Sequence, residues 1–160
     1  MRRIAYPIPT VWFAALAALS GLLLFAWPGT SWWALVAVEL LLLVVLIVDT
    51  VACVAPQRID VQRDVVESIT VGEQATLTWL IDNRSPRAGR VTVTDALWPS
   101  LHAERRRVGA HLRGGARLKS RTVLRPTRRG RFPLNDVTVR VEGPLRMVCR
   151  QATRDVPGSL

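Results

Sequence analysis

The side chains that could perform chemistry are few, and none stands at a spacing that a catalytic or metal site requires. His102 and His111 lie nine residues apart, with no third ligand or base at a suitable spacing. Gly114 and Gly115 fit a hairpin turn better than a phosphate-binding loop. The chain also lacks the His-Glu-x-x-His, Gly-x-Ser-x-Gly and paired-cysteine motifs. The sequence therefore predicts a protein that is not an enzyme, with no catalytic, cofactor-binding or metal-binding residues.

Arginine is the residue type that stands out, because Lys119 is the one lysine among the 22 basic residues. Two clusters are candidates for contact with a partner or with lipid: Arg105, Arg106 and Arg107, and Arg128, Arg129 and Arg131. Three functional interpretations remain open, namely anionic lipid headgroups, an acidic protein partner and nucleic acid. Nucleic acid is the weakest, since residues 57–160 offer only one Phe, no Tyr and two Trp for base stacking. The simplest alternative is a solvated basic surface that protects a sheet edge.

The elements that must position these arginines divide the chain into two parts. Residues 1–56 carry two basic and two acidic groups, so the whole formal charge of +10 belongs to residues 57–160. We expect the first part to form a two-helix transmembrane hairpin. The second part, of about 100 residues, is enough for one small core and should form a single cytoplasmic β-domain.

Two apolar runs predict the hairpin, with spans near 9–27 and 32–54. Each is close to the ~20 residues that a helix needs to cross a bilayer, and Pro28-Gly29 supplies the turn between them. A cleaved signal peptide is the alternative for the first run, but the small-residue cleavage site is missing. Glu39 is the one carboxyl at membrane depth, where an ionised group costs at least ~2.5 kcal/mol. A functional Glu39 would contact another membrane helix or carry protons. The alternative is a neutral side chain bonded to Ser20 or to the backbone of the first helix.

Basic residues flank the hairpin on one side only, which predicts its orientation. Arg2 and Arg3 precede the first span, Arg58 and Arg63 follow the second, and the turn has none. The positive-inside rule then puts both termini in the cytoplasm, as a multi-pass protein of the bacterial plasma membrane. The two cysteines are far apart in the sequence, so no disulfide is expected, in keeping with a reducing compartment. Asp49 is expected to be solvated at the cytoplasmic interface.

From residue 57 onward apolar and polar residues alternate with period two, as in Val137, Val139 and Val141. This pattern is typical of strands with one buried face, and turn residues separate the runs. We predict strands near 58–63, 74–82, 90–96, 102–108, 116–125, 130–133, 137–142 and 146–151. Short strands at this spacing without a helix indicate an all-β antiparallel sandwich of immunoglobulin or fibronectin type.

Several motifs follow the two apolar runs in an order similar to that of a known family. They are Val71-Gly72-Glu73, Asn83, Asp95, Pro99, Arg128-Arg129-Gly130-Arg131-Phe132-Pro133-Leu134 and Gly143-Pro144-Leu145. In this order the chain resembles the N-terminal part of the bacterial domain-of-unknown-function family 58, over essentially its whole length. The family's turn motif is similar to Asp-Pro-Leu-Gly-Leu, so this chain departs from it at Gly143 and Arg146.

The resemblance implies a membrane-anchored, non-enzymatic accessory or scaffold protein whose cytoplasmic β-domain mediates protein interaction. Family genes often neighbour MoxR-type AAA+ ATPases, so such an ATPase in complex assembly is the expected partner. The alternative is a basic, membrane-tethered module that binds nucleic acid or anionic lipid. Family members usually continue into a von Willebrand factor type A-like domain, whose Asp-x-Ser-x-Ser motif this sequence lacks. We therefore expect a truncated chain, a split gene or a shortened family member.

Overall fold

The computed structural model describes residues 7–26, 29, 31–64, 69–134 and 136–156. Arg2 and Arg3, on which the predicted orientation partly depends, lie outside the described residues, as does the C-terminal segment 157–160.

The two apolar runs form two helices, α1 over Val11–Ala26 and α2 over Trp32–Ala52. By length and composition, one described stretch is able to cross a membrane: Trp32–Arg58, with a mean hydropathy of 2.7 and α2 at its start. The apolar stretch in α1 is shorter than such a span. Among the residues of α2, all of which the structure describes, Asp49 is the one that is buried. The helical hairpin thus exposes most of its apolar surface.

The rest of the described chain is built from antiparallel strands. They are β1 (Pro7–Pro9), β2 (Ile59–Asp64), β3 (Ala75–Asn83), β4 (Gly89–Asp95), β5 (Arg107–Leu112), β6 (Arg117–Leu124), β7 (Asp136–Glu142) and β8 (Val148–Asp155). One sheet has the order β1-β8-β7-β4-β5 and the other the order β2-β3-β6. Apart from β1, the strands divide between the sheets as in an immunoglobulin-like sandwich. The predicted all-β antiparallel sandwich is therefore confirmed.

Alternation along the strands builds the core between the two sheets. Trp79 and Ile81 of β3 and Val139 of β7 are at most 2% exposed. The register pairs Val93 of β4 with Val139 of β7, so inward-facing valines lie side by side. Val54, just after α2, also belongs to this core and packs within 3.4–3.7 Å of the Cβ position of Gly89. The sandwich is thus closed at one end by the chain that leaves α2.

Two of the predicted strands are wrong. Residues 102–106 are irregular, and the strand begins only at Arg107. His102 adopts a left-handed backbone conformation (φ 39°) that ends the short 3-10 turn Pro99–Leu101 and redirects the chain. The segment 130–133 forms no strand, because Phe132 folds into the core from an irregular loop.

Strand β1 was not among the predicted strands, and proline cannot donate to a sheet ladder. It is nevertheless compatible with the sheet because β1 is an edge strand, where proline is tolerated. Ile8 pairs with Cys149 of β8, and the backbone amide of Thr10 donates to Met147 O at 2.8 Å. The Thr10 hydroxyl also donates to Arg146 O. The chain that enters α1 is therefore fixed to the same end of the sandwich as the chain that leaves α2.

The expectation that Asp49 is solvated is wrong, because its carboxylate is fully buried against the β7–β8 turn. One oxygen accepts a hydrogen bond from Leu145 N at 2.8 Å. The other accepts from Met147 N and Val148 N, each at 2.9 Å. A carboxylate with three amide donors is a strong, charge-assisted connection. Asp49 thus joins the last turns of α2 to the sandwich.

Gly143 is required by this contact. A Cβ at position 143 would lie 2.4 Å from one carboxylate oxygen of Asp49 and 2.5 Å from the other. The carboxylate cannot move aside without giving up its amide donors. The Asp49 carboxylate is therefore bound by the turn 143–148, in which Gly143 leaves the space and Leu145, Met147 and Val148 supply the amide donors.

We expect Asp49→Ala to lower the free energy of unfolding by at least about 3 kcal/mol, because three backbone amides lose their buried acceptor. Denaturant unfolding of the full chain in mild detergent measures it. Val48→Ala, an exposed neighbour on the same helix, is the control and should change stability by less than ~0.5 kcal/mol. Equal effects of the two substitutions would contradict the role assigned to Asp49.

Gly143→Ala should cost about 2 kcal/mol in the wild-type chain, since the added methyl overlaps the carboxylate. In the Asp49→Ala background the same substitution should cost markedly less, giving a coupling energy of at least ~1 kcal/mol. A double-mutant cycle on the same unfolding assay measures this coupling. Additive effects would show that the two positions do not interact.

Candidate functional site

The sandwich has two ends, and the strand directions show which residues lie at each. The proximal end carries the C-terminus of α2 with the loops 84–88, 113–116 and 143–147. The distal end carries the loops 96–106 and 125–134. A strand of seven residues spans roughly 20 Å, so the two ends are separated by about that distance.

Both predicted arginine clusters lie at the distal end, although they are far apart in sequence. Backbone bonds from Arg125 N to Leu101 O (2.8 Å) and from Thr127 N to Ser100 O (3.0 Å) hold the two loops against each other. All six side chains are exposed, namely those of Arg105, Arg106, Arg107, Arg128, Arg129 and Arg131. None of them forms an ion pair with another residue that the structure describes. The distal end therefore presents six exposed arginines outside any described ion pair, alongside exposed acidic residues such as Glu104.

The second cluster borders an apolar pocket of about 230 Å³. Its floor and walls are mostly apolar, and Arg128 and Arg129 lie at its border; the remaining lining residues are Ile69, Thr70, Val71, Leu101, Pro126, Gly130 and Phe132. The Arg128 guanidinium stands 5.7 Å from the centre of the Phe132 ring, within cation–π range. The first cluster does not line this pocket.

Trp98 extends the apolar surface beyond the pocket. The residue is 43% exposed, and its indole nitrogen donates to Pro133 O at 3.1 Å. A smaller cavity of about 110 Å³ lies between Trp98 and the second cluster. An exposed aromatic beside free arginines is the composition that protein interfaces favour. Sequence reasoning found the arginines but not Trp98, because only the fold brings residue 98 next to residues 128–132.

A buried polar network supports the distal end from inside. Arg63 pairs with Asp95 at 2.8 Å, and both side chains are 1% exposed. Arg63 also donates to the carbonyls of Leu134 (2.7 Å) and Val156 (2.9 Å). The second oxygen of Asp95 accepts from the Trp79 indole at 2.9 Å. This network ties β2, β3 and β4 to the segment before β7 and to the segment after β8, so it holds the distal loops in place.

The remaining predicted positions lie apart from this surface. Glu39 is exposed on α2, with an oxygen 3.4 Å from Ser20 Oγ. The Ser20 hydroxyl also lies 2.9 Å from Ala17 O and has only one proton to donate. His102 and His111 are both exposed. Among the described residues no group of three potential ligands could hold a metal ion.

The comparisons with known proteins identify no family. No family model matches the chain, and no curated protein matches it. Among solved structures it is similar to the ASH/PapD-like domain of human CEP192 (PapD-like domain 7), with a TM-score of 0.47 and 11% identity. That match covers 66% of this chain and 86% of that chain. The fold assignment rests on the strand order and register described above.

We expect Asp95→Ala to destabilise the chain by about 3–5 kcal/mol, because it leaves the buried Arg63 guanidinium without its counter-charge. Asp82→Ala is the matched control, since it removes a carboxylate paired with the 73% exposed Arg117. That control should cost less than ~1 kcal/mol. Thermal unfolding of the full chain compares the two, and similar losses would contradict a structural role for the Asp95 network.

Proposed function

We propose that this protein is a membrane-anchored, non-enzymatic accessory or scaffold protein whose β-domain binds a protein partner in the cytoplasm. The observation that carries the proposal is the basic, aromatic-lined distal surface, which faces away from the helical hairpin. In this arrangement the hairpin anchors the chain and the distal end remains free for a partner.

Exposed apolar area on the two helices supports the membrane anchor. Trp12, Phe25 and Trp32 are between 63% and 92% exposed, and long apolar side chains cover most of α2. A contiguous apolar surface of this extent is unstable in water unless lipid or protein covers it. The 17 residues of α2 that precede Asp49 give about 25 Å of helix, at the lower end of the length that can span a bilayer.

Attachment of both hairpin ends to the proximal end supports a two-span topology. Thr10 lies just before α1, and Asp49 lies in the last turn of α2. Both form hydrogen bonds to the β7–β8 turn. Two spans return the chain to the side from which it started, so one sandwich can hold both ends. The proposed location is the bacterial plasma membrane, with both termini in the cytoplasm.

The distance from the hairpin favours a protein partner over lipid for the two predicted arginine clusters. They lie roughly 20 Å beyond the end of α2, which is more than two Debye lengths at physiological salt. Attraction to headgroups is weak over that distance. An acidic segment with an apolar anchor fits the surface, because the pocket offers apolar walls and a basic border.

The resemblance to family 58 suggests which partner to test. Proteins of that family are thought to act with MoxR-type AAA+ ATPases in assembling other complexes. We extend this to the present chain, so that the proposed partner is a MoxR-type ATPase that presents an acidic, partly apolar surface.

Charge reversal at the distal surface tests the proposal. We expect Arg128→Glu/Arg129→Glu/Arg131→Glu to weaken binding of the detergent-solubilised full chain to the purified ATPase of the same genome at least about tenfold. The control reverses Arg90, Arg113 and Arg121, which are exposed elsewhere, and should bind as the wild type does. Equal loss of binding in both variants would show that net charge, and not the distal surface, determines the affinity. Failure of the wild type to exceed an unrelated two-span protein would contradict the ATPase as partner.

Trypsin tests the orientation, since the β-domain is rich in arginine. We expect the domain to be cleaved in inside-out vesicles and protected in right-side-out vesicles. Recovery of the chain in the membrane fraction after carbonate extraction is the accompanying measurement. Release by carbonate would contradict the anchor, and cleavage in right-side-out vesicles alone would contradict the orientation.

A further inference from the structure

A second basic cleft lies at the proximal end, where α2 joins the sandwich. It has a volume of about 330 Å³. Residues 51 and 53–55 and the loop 85–87 line it, together with three arginines: Arg87 of that loop, Arg58 and Arg150. No acidic side chain is among the described residues that line it. The predicted clusters contribute nothing to this cleft, so it is separate from the proposed partner surface.

The loop that borders the cleft is held rigidly by Asn83, which is 1% exposed. Its side-chain amide donates to Arg87 O and to Arg113 O, each at 2.9 Å, and accepts from Ser85 N at 3.0 Å. The Ser85 hydroxyl in turn accepts from Arg87 N at 3.1 Å. These bonds fix the backbone at Arg87, a residue that lines the cleft.

The three arginines retain unused donor groups. One nitrogen of Arg87 donates to Val51 O at 2.9 Å, in the last turn of α2, which leaves most of its five N–H donors available. Arg150 Nε is buried and has no hydrogen-bond partner among the described residues. Arg58 is exposed. None of the three forms an ion pair within the described part of the chain.

The location of the cleft indicates what fills it. Val51, at the cleft, is apolar and 68% exposed, so hydrocarbon-compatible surface adjoins the three guanidinium groups. If α2 spans the bilayer as proposed, its last turn lies at the level of the headgroups. Guanidinium groups bind phosphate by paired N–H donors, and an acyl chain can lie against the apolar end of α2.

We propose that this cleft binds the phosphate headgroup of an anionic phospholipid in the leaflet that surrounds the C-terminal end of α2. The proposal rests on the membrane insertion put forward above. Bound lipid would neutralise three cations next to the hairpin and hold the sandwich against the membrane surface. It would thereby orient the distal surface toward the cytoplasm.

Native mass spectrometry of the full chain in detergent tests this, with phosphatidylglycerol as probe and phosphatidylcholine as the neutral comparison. One basic residue contributes about fivefold to binding at an anionic surface. We therefore expect Arg58→Gln/Arg87→Gln/Arg150→Gln to bind phosphatidylglycerol roughly 100-fold more weakly. The control Arg128→Gln/Arg129→Gln/Arg131→Gln removes the same charge at the distal end and should bind as the wild type does. Equal weakening in both variants would overturn the proposal.

Two single substitutions guard against misfolding of the triple variant. The Arg58 side chain is exposed and makes no hydrogen bond among those described, so Arg58→Gln should leave the unfolding temperature unchanged while weakening lipid binding about fivefold. Ala55→Glu adds a carboxylate to the cleft wall without removing any arginine, and should weaken binding by at least as much. Wild-type affinity in both variants would overturn the site.

Two further arms separate this proposal from its alternatives. Soluble glycerol phosphate should bind at least tenfold more weakly than phosphatidylglycerol, and equal affinity would assign the cleft to a soluble phosphate instead. Carbonate extraction is measured on the same variants. A chain that stays in the membrane but shows no preference for phosphatidylglycerol overturns the lipid site alone, whereas a chain that is released overturns the anchor as well.

Discussion

The rest of this structure depends on the carboxylate of Asp49 and the three backbone amides that it accepts. A buried charge is costly unless it is fully hydrogen-bonded, and the β7–β8 turn supplies the donors that α2 cannot. Gly143 leaves the space that the carboxylate occupies. The β7–β8 turn thereby connects the helices to the sandwich.

This connection gives the sandwich two different ends. The N-terminal strand β1 adds to β8 beside the same turn, so both ends of the hairpin attach at one place. Everything at that end lies near the last turn of α2, and everything at the other end lies about one strand length away. The arginines are divided between the two ends, and their position relative to the hairpin separates those suited to lipid from those suited to a protein partner. In the proposed function the arginines of one small domain thus make two different contacts, one with lipid and one with a protein partner.

Much of the strand pattern could be predicted, because alternation records which side chains face the core. The runs around Trp79, Val93 and Val139 were found in this way, and so was the antiparallel sandwich. The errors fall where alternation carries no information. The chain after Pro99 is turned by the left-handed conformation of His102, and Phe132 reaches the core from a loop rather than from a strand. Strand β1 was not predicted, because three residues are too few to show alternation, and its position at the sheet edge tolerates proline.

The sequence by itself determined the composition of the two parts: an apolar, nearly uncharged beginning and an arginine-rich, alternating remainder. Those properties belong to consecutive residues, so local periodicity and charge reveal them. Only the tertiary structure decided which arginines lie together, because the distal surface and the proximal cleft each collect residues from separate loops and strands. The same holds for Asp49, which pairs with amides almost 100 positions away. No local pattern encodes a contact of that range, since it exists only once the sheets have fixed where each loop ends.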